Sequence, residues 1–435
     1  MAGHFRGSFA DPPAESFPDR PQFSGFMKPC RFEGEWFNGD GNVSAFRFHN
    51  GNVDFQQKFV RTEKRLPQQV HRRRRVQGAH DGQHQVYHFN GSLLAIKEDA
   101  PPYRLGPNTL ETLDLCDFDG QLPSCTFTAH PKMDPVTGEL VCFGYQAKGD
   151  GTPDVCYFSI GPDGNFLETV WLVAPVVGMI HDFAITDNWV LFPMIPQICH
   201  LERLKAGGEH WQWDPNVPFY LGVMPRRGAK GSDVKTPSGT VVFDLLPDGQ
   251  ERLLLVARRR GQRPGPARHP CALRPLRVRP RAGADADTPA SLDLPAPTTL
   301  LRHDMEFPRI DERVLSKPHR HSFFDMMDPA LGTDFAAIAP VLGGGHPLHN
   351  ALGHLDRHHR RDDDDGAEEE PVFVPRSADA PEGDGFVIAL VNNYGTMSSE
   401  LHVVDTRRFS EPAAVVKVAM RLRAGLHGNW VDAKK

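Results

Sequence analysis

Short apolar runs broken by turn residues fill most of the chain. Val43, Ala45, Phe46 and Phe48 lead into His49-Asn50-Gly51-Asn52, and Val53 and Phe55 follow. Asn-Gly between alternating apolar runs is a strong hairpin signal. Asn90-Gly91 sits the same way before Leu93–Ile96, and Gly161–Gly164 and Thr186–Asn188 separate further apolar stretches. Phe127–Ala129 reads as an apolar strand running into His130-Pro131, with a turn at Asp134–Gly138 and a second strand behind it. Pro pre-sets φ early in such a turn and Gly supplies its unusual backbone values. Late in the chain, the stretches from Gly385 and from Ser399 repeat the pattern. No long amphipathic helix interrupts it. The expected class is all-β, and a meander of hairpins of this length closes most economically as a β-propeller. No strict repeat of the WD or kelch kind is present.

Composition agrees, with 40 Gly and 39 Pro among 435 residues, as a turn-dense β protein requires. Residues 1–30 are polar and Pro-rich and read as a surface arm. Residues 31–435 read as one β-propeller domain, with 257–285 and 346–369 irregular. The net charge of −6 gives no reason to expect nucleic acid as a partner. The run Arg72–Arg75 reads as a solvated loop, since no aromatic residues are interleaved with it. Seven cysteines with no CxxC argue against a disulfide framework and for a reducing, cytoplasmic setting. No secretory signal is expected from the first twenty residues. No apolar run is long enough to span a membrane, and peripheral membrane contact stays open.

Histidines are the candidate chemistry. His130 lies at a strand end, His181 reads as a strand residue in an apolar setting, and His427 lies near the end of the chain. They are too far apart for a local metal motif, and each alone reads as a surface or satisfied core residue. His346, His349, His354, His358 and His359 lie beside an acidic block and fit a loop better than a catalytic metal site.

Seven stretches in order carry a resemblance: those around Gly39–Phe48, Lys97–Tyr103, Phe127–Leu140, Met179–Thr186, Met305–Asp311, Glu370–Pro375 and Leu426–Val431. Together they resemble the carotenoid cleavage oxygenases, in the flavour of the lignostilbene-type branch. The resemblance implies a seven-bladed propeller with a loop and helix cap. It implies Fe(II) on the axis, held by histidines, some of them backed by glutamates. The implied reaction uses O2 to split a C=C bond of a carotenoid, apocarotenoid or stilbene into two carbonyl products. Its partners are thus O2 and an apolar conjugated alkene. By motif, His130, His181 and His427 resemble three metal ligands, and Glu98, Glu306 and Glu370 resemble the carboxylates behind them. Lys97 matches a lysine that stilbene-cleaving members use, with a tyrosine, to bind and deprotonate a phenol. Phe59 stands where many relatives have that tyrosine, which points toward a non-phenolic substrate.

Two departures from the family pattern matter. Lys235 passes directly into Thr236, where relatives carry a strand with a further histidine ligand. Glu35 similarly passes into Trp36 without an expected segment. The Arg-rich 66–86 and Arg/Pro-rich 257–285 read as translation in a wrong frame. An imperfect gene model or a decayed gene accounts for all four; transcripts matching this chain throughout would sink the former. The alternative to an active oxygenase is a catalytically impaired propeller lacking the third ligand.

Overall fold

The computed structural model describes residues 41–62, 85–229, 241–245, 274–278, 304–334, 349–357, 370–418, 420–422 and 427–432. Every sheet among them is antiparallel and built from consecutive strands. β1 (Asn42–His49) and β2 (Asn52–Phe59) form a ribbon. β3 (Gln85–Phe89), β4 (Ser92–Ile96), β5 (Tyr103–Leu105) and β6 (Thr112–Leu115) follow as a four-stranded sheet. β7 (Lys132–Met133), β8 (Leu140–Tyr145), β9 (Asp154–Ile160) and β10 (Phe166–Val173) form the next. Five strands share the third: β11 (Gly178–Met179), β12 (Ala184–Ile185), β13 (Trp189–Ile198), β14 (Gln212–Trp213) and β15 (Tyr220–Pro225). β16 (Val241–Leu245) and β17 (Arg274–Val278) pair as a ribbon. β18 (Asp304–Arg309), β19 (His321–Met327) and β20 (Ala351–Asp356) form a three-stranded sheet. β21 (Val372–Pro375), β22 (Gly385–Asn393), β23 (Ser398–Asp405) and β24 (Pro412–Val418) complete the set.

The fold is a β-propeller, as the alternation predicts. Among the described residues, however, five sheets are of blade size rather than the predicted seven, and the other two are two-stranded ribbons. Turn signals count hairpins; they do not count how many strands each sheet gathers. Strand β17 lies inside 257–285, and β20 inside 346–369, so both stretches read as irregular contain sheet. The N-terminal arm lies outside the described residues.

The core lies between sheets. β8 and β9 are buried along almost their whole length, because sheets cover both of their faces. Phe143, Tyr157, Phe183 and Phe192 join the second and third sheets in one cluster. The first ribbon sits between the first and last sheets. Its Val43 and Val60 pack with Leu93, Ala95 and Leu105, and its Val53 packs with Leu401 and Val416. This arrangement closes the ring. A buried ionic node also ties the second sheet to the third. Arg226 donates to Asp134 Oδ2 at 2.5 Å, and Arg227 grips Glu139 with both guanidinium nitrogens.

The only α-helix among the described residues, α1 (Leu201–Lys205), has five residues. No described helix is long and apolar enough to cross a membrane. The described cysteines, Cys116, Cys125, Cys142, Cys156 and Cys199, are all free.

Candidate active site

The loop-borne histidines converge, the His130 ring touching both of the others. His130 precedes β7, His181 lies between β11 and β12, and His427 lies beyond β24. The ring centroids of His181 and His427 each stand 4.7 Å from that of His130, edge-on. His130 Nε2 and His181 Nε2 are 3.2 Å apart.

None of the three is on a strand, which corrects the sequence reading of Phe127–Ala129 and of His181. In both places buried apolar residues resemble a strand, but side chains satisfy the backbone instead. Thr126 Oγ1 donates to Tyr145 O at 2.9 Å, and Thr128 Oγ1 accepts from His130 N at 3.0 Å. Asp182 Oδ1 accepts from Phe183 N at 2.6 Å and from Lys132 Nζ at 2.7 Å. The Lys132–Asp182 pair therefore straps the His130 segment to the His181 segment.

Carboxylates stand behind two of the rings. His181 Nδ1 bonds Glu98 Oε1, and His427 Nδ1 bonds Glu370 Oε1 at 3.0 Å. Each outer bond turns Nδ1 to a carboxylate, so that Nε2 is the atom that would bind a metal once it carries no proton. Burial works to depress the His181 imidazolium, but the charge and hydrogen bond of Glu98 outweigh it and push His181 up to about 9. The His181 side chain is 51% accessible, so one edge of the ring stays open. Burial likewise works to raise the Glu370 carboxyl. The charges of His427 and Arg309, and hydrogen bonds from His427 and Gly428 N, hold it below the usual carboxylate range.

Glu306 lies on β18, next to a register shift, and its charge bears on His181. The following residue, Phe307, has φ of 50° and sets its ring edge-on to His427 at 5.4 Å. A bulge beside a functional group re-aims side chains, and a positive φ at phenylalanine stores strain there. Lys97 is buried, with Nζ 2.8 Å from Asp99 Oδ1. Phe59 ends β2, paired with Asn42. The Lys235–Thr236 and Glu35–Trp36 junctions lie outside the described residues.

Two participants were not singled out from the sequence. Tyr145 donates its hydroxyl to Glu98 Oε2. Arg309 reaches Glu370 Oε1 and Gly428 O, each at 3.2 Å, and Asn429 Oδ1 at 2.9 Å. Arg309 falls inside Met305–Asp311, a stretch that carries the resemblance; Tyr145 lies five residues past Phe127–Leu140 and had no such signal. The pair His321 and His354, 3.0 Å apart, bond each other across β19 and β20.

A family model described as "Retinal pigment epithelial membrane protein" matches residues 17–246 and 244–432. The chain belongs to the RPE65/carotenoid cleavage oxygenase family. Within it, the chain is 47% identical to resveratrol cleavage oxygenase 1 of Aspergillus fumigatus, across 96% of this chain and 97% of that one. It is 43% identical to carotenoid cleavage oxygenase 1 of Neurospora crassa, across 97% and 92%. The crystal structure of Pseudomonas brassicacearum lignostilbene dioxygenase superposes with a TM-score of 0.78 at 35% identity, covering 92% of this chain and 88% of that one. Membership makes this chain a cleavage oxygenase. The Aspergillus alignment spans 493 positions, more than the 435 residues here, so that relative carries stretches this chain lacks.

Ligand atoms of Glu98, His130 and His181 lie within 4.8 Å of one another, close enough to share a divalent transition metal, and His427 stands beside His130 by ring contact. Imidazole suits iron, and three protein ligands with open positions are a known arrangement for non-haem Fe(II) oxygenases. Two nitrogen lone pairs 3.2 Å apart also repel unless a cation or proton lies between them.

Proposed function

We propose that this chain is an Fe(II)-dependent dioxygenase that splits a C=C bond of a stilbene or apocarotenoid into two carbonyl products. The convergence of His130, His181 and His427, two of them backed by carboxylates, carries this reading. His130, His181 and His427 would hold the iron. When bound, iron supplies the open positions and the redox chemistry that O2 activation needs.

The protein's own contribution is placement. Glu98 and Glu370 fix the tautomers of His181 and His427 and strengthen them as ligands. Lys132 and Asp182 keep two ligand segments in register. Glu306 completes the carboxylate set on the β18 side. Lys97 binds and orients a substrate hydroxyl where one is present. Beside it, Asp99 Oδ2 is buried without a hydrogen-bond partner among the described residues, an acceptor for such a hydroxyl. Phe59, in place of a tyrosine, leaves less support for phenolate formation, so non-phenolic alkenes belong in the substrate range. The relatives' names favour the active oxygenase over the impaired propeller, since each is named for an oxygenase activity.

The test is anaerobic loading with Fe(II), then O2 uptake and product analysis on a panel of stilbenes and apocarotenoids. Paired carbonyl products from at least one substrate are expected. A folded, iron-loaded protein that consumes no O2 with any of them contradicts the reading.

A further inference from the structure

Three consecutive sheets contribute to one line of hydrogen bonds. Tyr145, the last residue of β8, donates to Glu98 Oε2, in the segment after β4. The other oxygen of Glu98 bonds His181 Nδ1, in the loop after β11. His181 Nε2 then faces His130 Nε2. The Tyr145 ring stacks on Phe143, and Trp211 lies against it in a looser tilted contact. Its hydroxyl has one role available. Burial first, and the Glu98 charge second, push it well above its ordinary range, so it remains a protonated donor.

We infer that Tyr145 is a positioning residue for the metal centre, holding the Glu98 carboxylate in the orientation that fixes the His181 tautomer. This rests on the iron-site reading above. A carboxylate bonded at one oxygen only can rotate; one bonded at both oxygens cannot. Without the tyrosine hydroxyl, Glu98 Oε2 loses that donor in a buried site, a costly change for a charged acceptor. The carboxylate then turns, its grip on His181 Nδ1 weakens, and Nε2 is no longer directed at the metal position.

The experiment uses the full chain and Co(II) as the probe, read by visible absorption in anaerobic titration. Tyr145→Phe is expected to raise the Co(II) dissociation constant about 10- to 100-fold, the usual range for outer partners of metal ligands. Its ligand-field bands should shift, and the metal-free unfolding midpoint should change little. Trp211→Phe is the control: it disturbs packing on the same ring without touching Glu98, and should leave Co(II) affinity at the wild-type value. A Tyr145→Phe affinity within about twofold of wild type, or an equal loss in Trp211→Phe, overturns the inference. If Tyr145→Phe does not fold, 3,5-difluorotyrosine at position 145 keeps the shape and alters donor strength. Unchanged Co(II) affinity there overturns it as well. Failure of the wild-type chain to bind Co(II), or undiminished binding by His181→Ala, instead removes the metal site and the inference with it.

Discussion

Replacing Arg309 with Met tests how the C-terminal ligand is held. The Arg309 guanidinium is 11% exposed and binds four groups: Glu370, Gly428 O, Asn429 Oδ1 and Glu312. The Glu312 arm is half exposed and contributes little. The Glu370 arm is different. Removing one partner of a buried pair costs about 3–5 kcal/mol, because the remaining charge is left uncompensated. Glu370 keeps His427 Nδ1 and Gly428 N as donors, at 3.0 and 2.7 Å, which places the cost near the lower end, about 3 kcal/mol. With a urea dependence of about 2–3 kcal/mol per molar, the unfolding midpoint falls by about 1 M. Tryptophan fluorescence in urea measures it, and Trp430, three residues after His427, reports on the affected segment. Arg309→Lys should fall between the two, since it keeps the charge but not the planar fork. A midpoint for Arg309→Met within about 0.2 M of wild type would refute the reasoning.

Gly144→Ala places a Cβ within 2.7 Å of Ser124 Oγ, Thr126 Oγ1 and Thr126 O, beneath the segment that carries His130. It should cost about 1–3 kcal/mol in calorimetry and weaken metal binding, whereas an unchanged thermal midpoint speaks against this packing. The node of buried Asp134, Glu139 and Arg226 with half-exposed Arg227 sets an acid limit. Burial works to raise both carboxyls, but hydrogen bonds from backbone amides at Asp134 and from the arginines at both residues outweigh it and lower them. A depressed folded-state pKa adds stability above the unfolded value that is lost as pH falls. Thermal midpoints should therefore drop below about pH 5, and the drop should flatten in Asp134→Asn/Glu139→Gln; parallel curves would count against the node. Lys97→Met should lower kcat/KM about 10- to 100-fold for a hydroxystilbene, the value of a charged hydrogen bond, and leave an unsubstituted stilbene nearly unaffected. Equal losses on both substrates assign Lys97 to structure alone.

Local signals reported the fold well where the physics is local. Asn50-Gly51 and Asn90-Gly91 both turn with positive φ, as two-residue hairpin loops demand. Long-range assembly was less legible. The loop holding His181 imitates a strand because Ile180 and Phe183 are buried on either side of it, while Asp182 supplies the backbone bond that a neighbouring strand would have made. Glu98 and Glu370 have no local physical mark of function; beyond the family resemblance, only pairing with histidines distant in sequence distinguishes them from surface carboxylates. Tyr145 and Arg309 are harder still. A tyrosine ending a buried strand reads as core, and an arginine in a polar stretch reads as surface, until the carboxylates they hold are in place.

The central claim is that His130, His181 and His427 form one metal centre. Anaerobic calorimetric titration of the full chain with Fe(II) tests it most directly, with wild type and the single variants His130→Ala, His181→Ala and His427→Ala side by side. One ion per wild-type chain and a large loss of affinity in each of the three variants are expected. Substoichiometric uptake by folded wild-type protein, or wild-type affinity in any one of the variants, would contradict it.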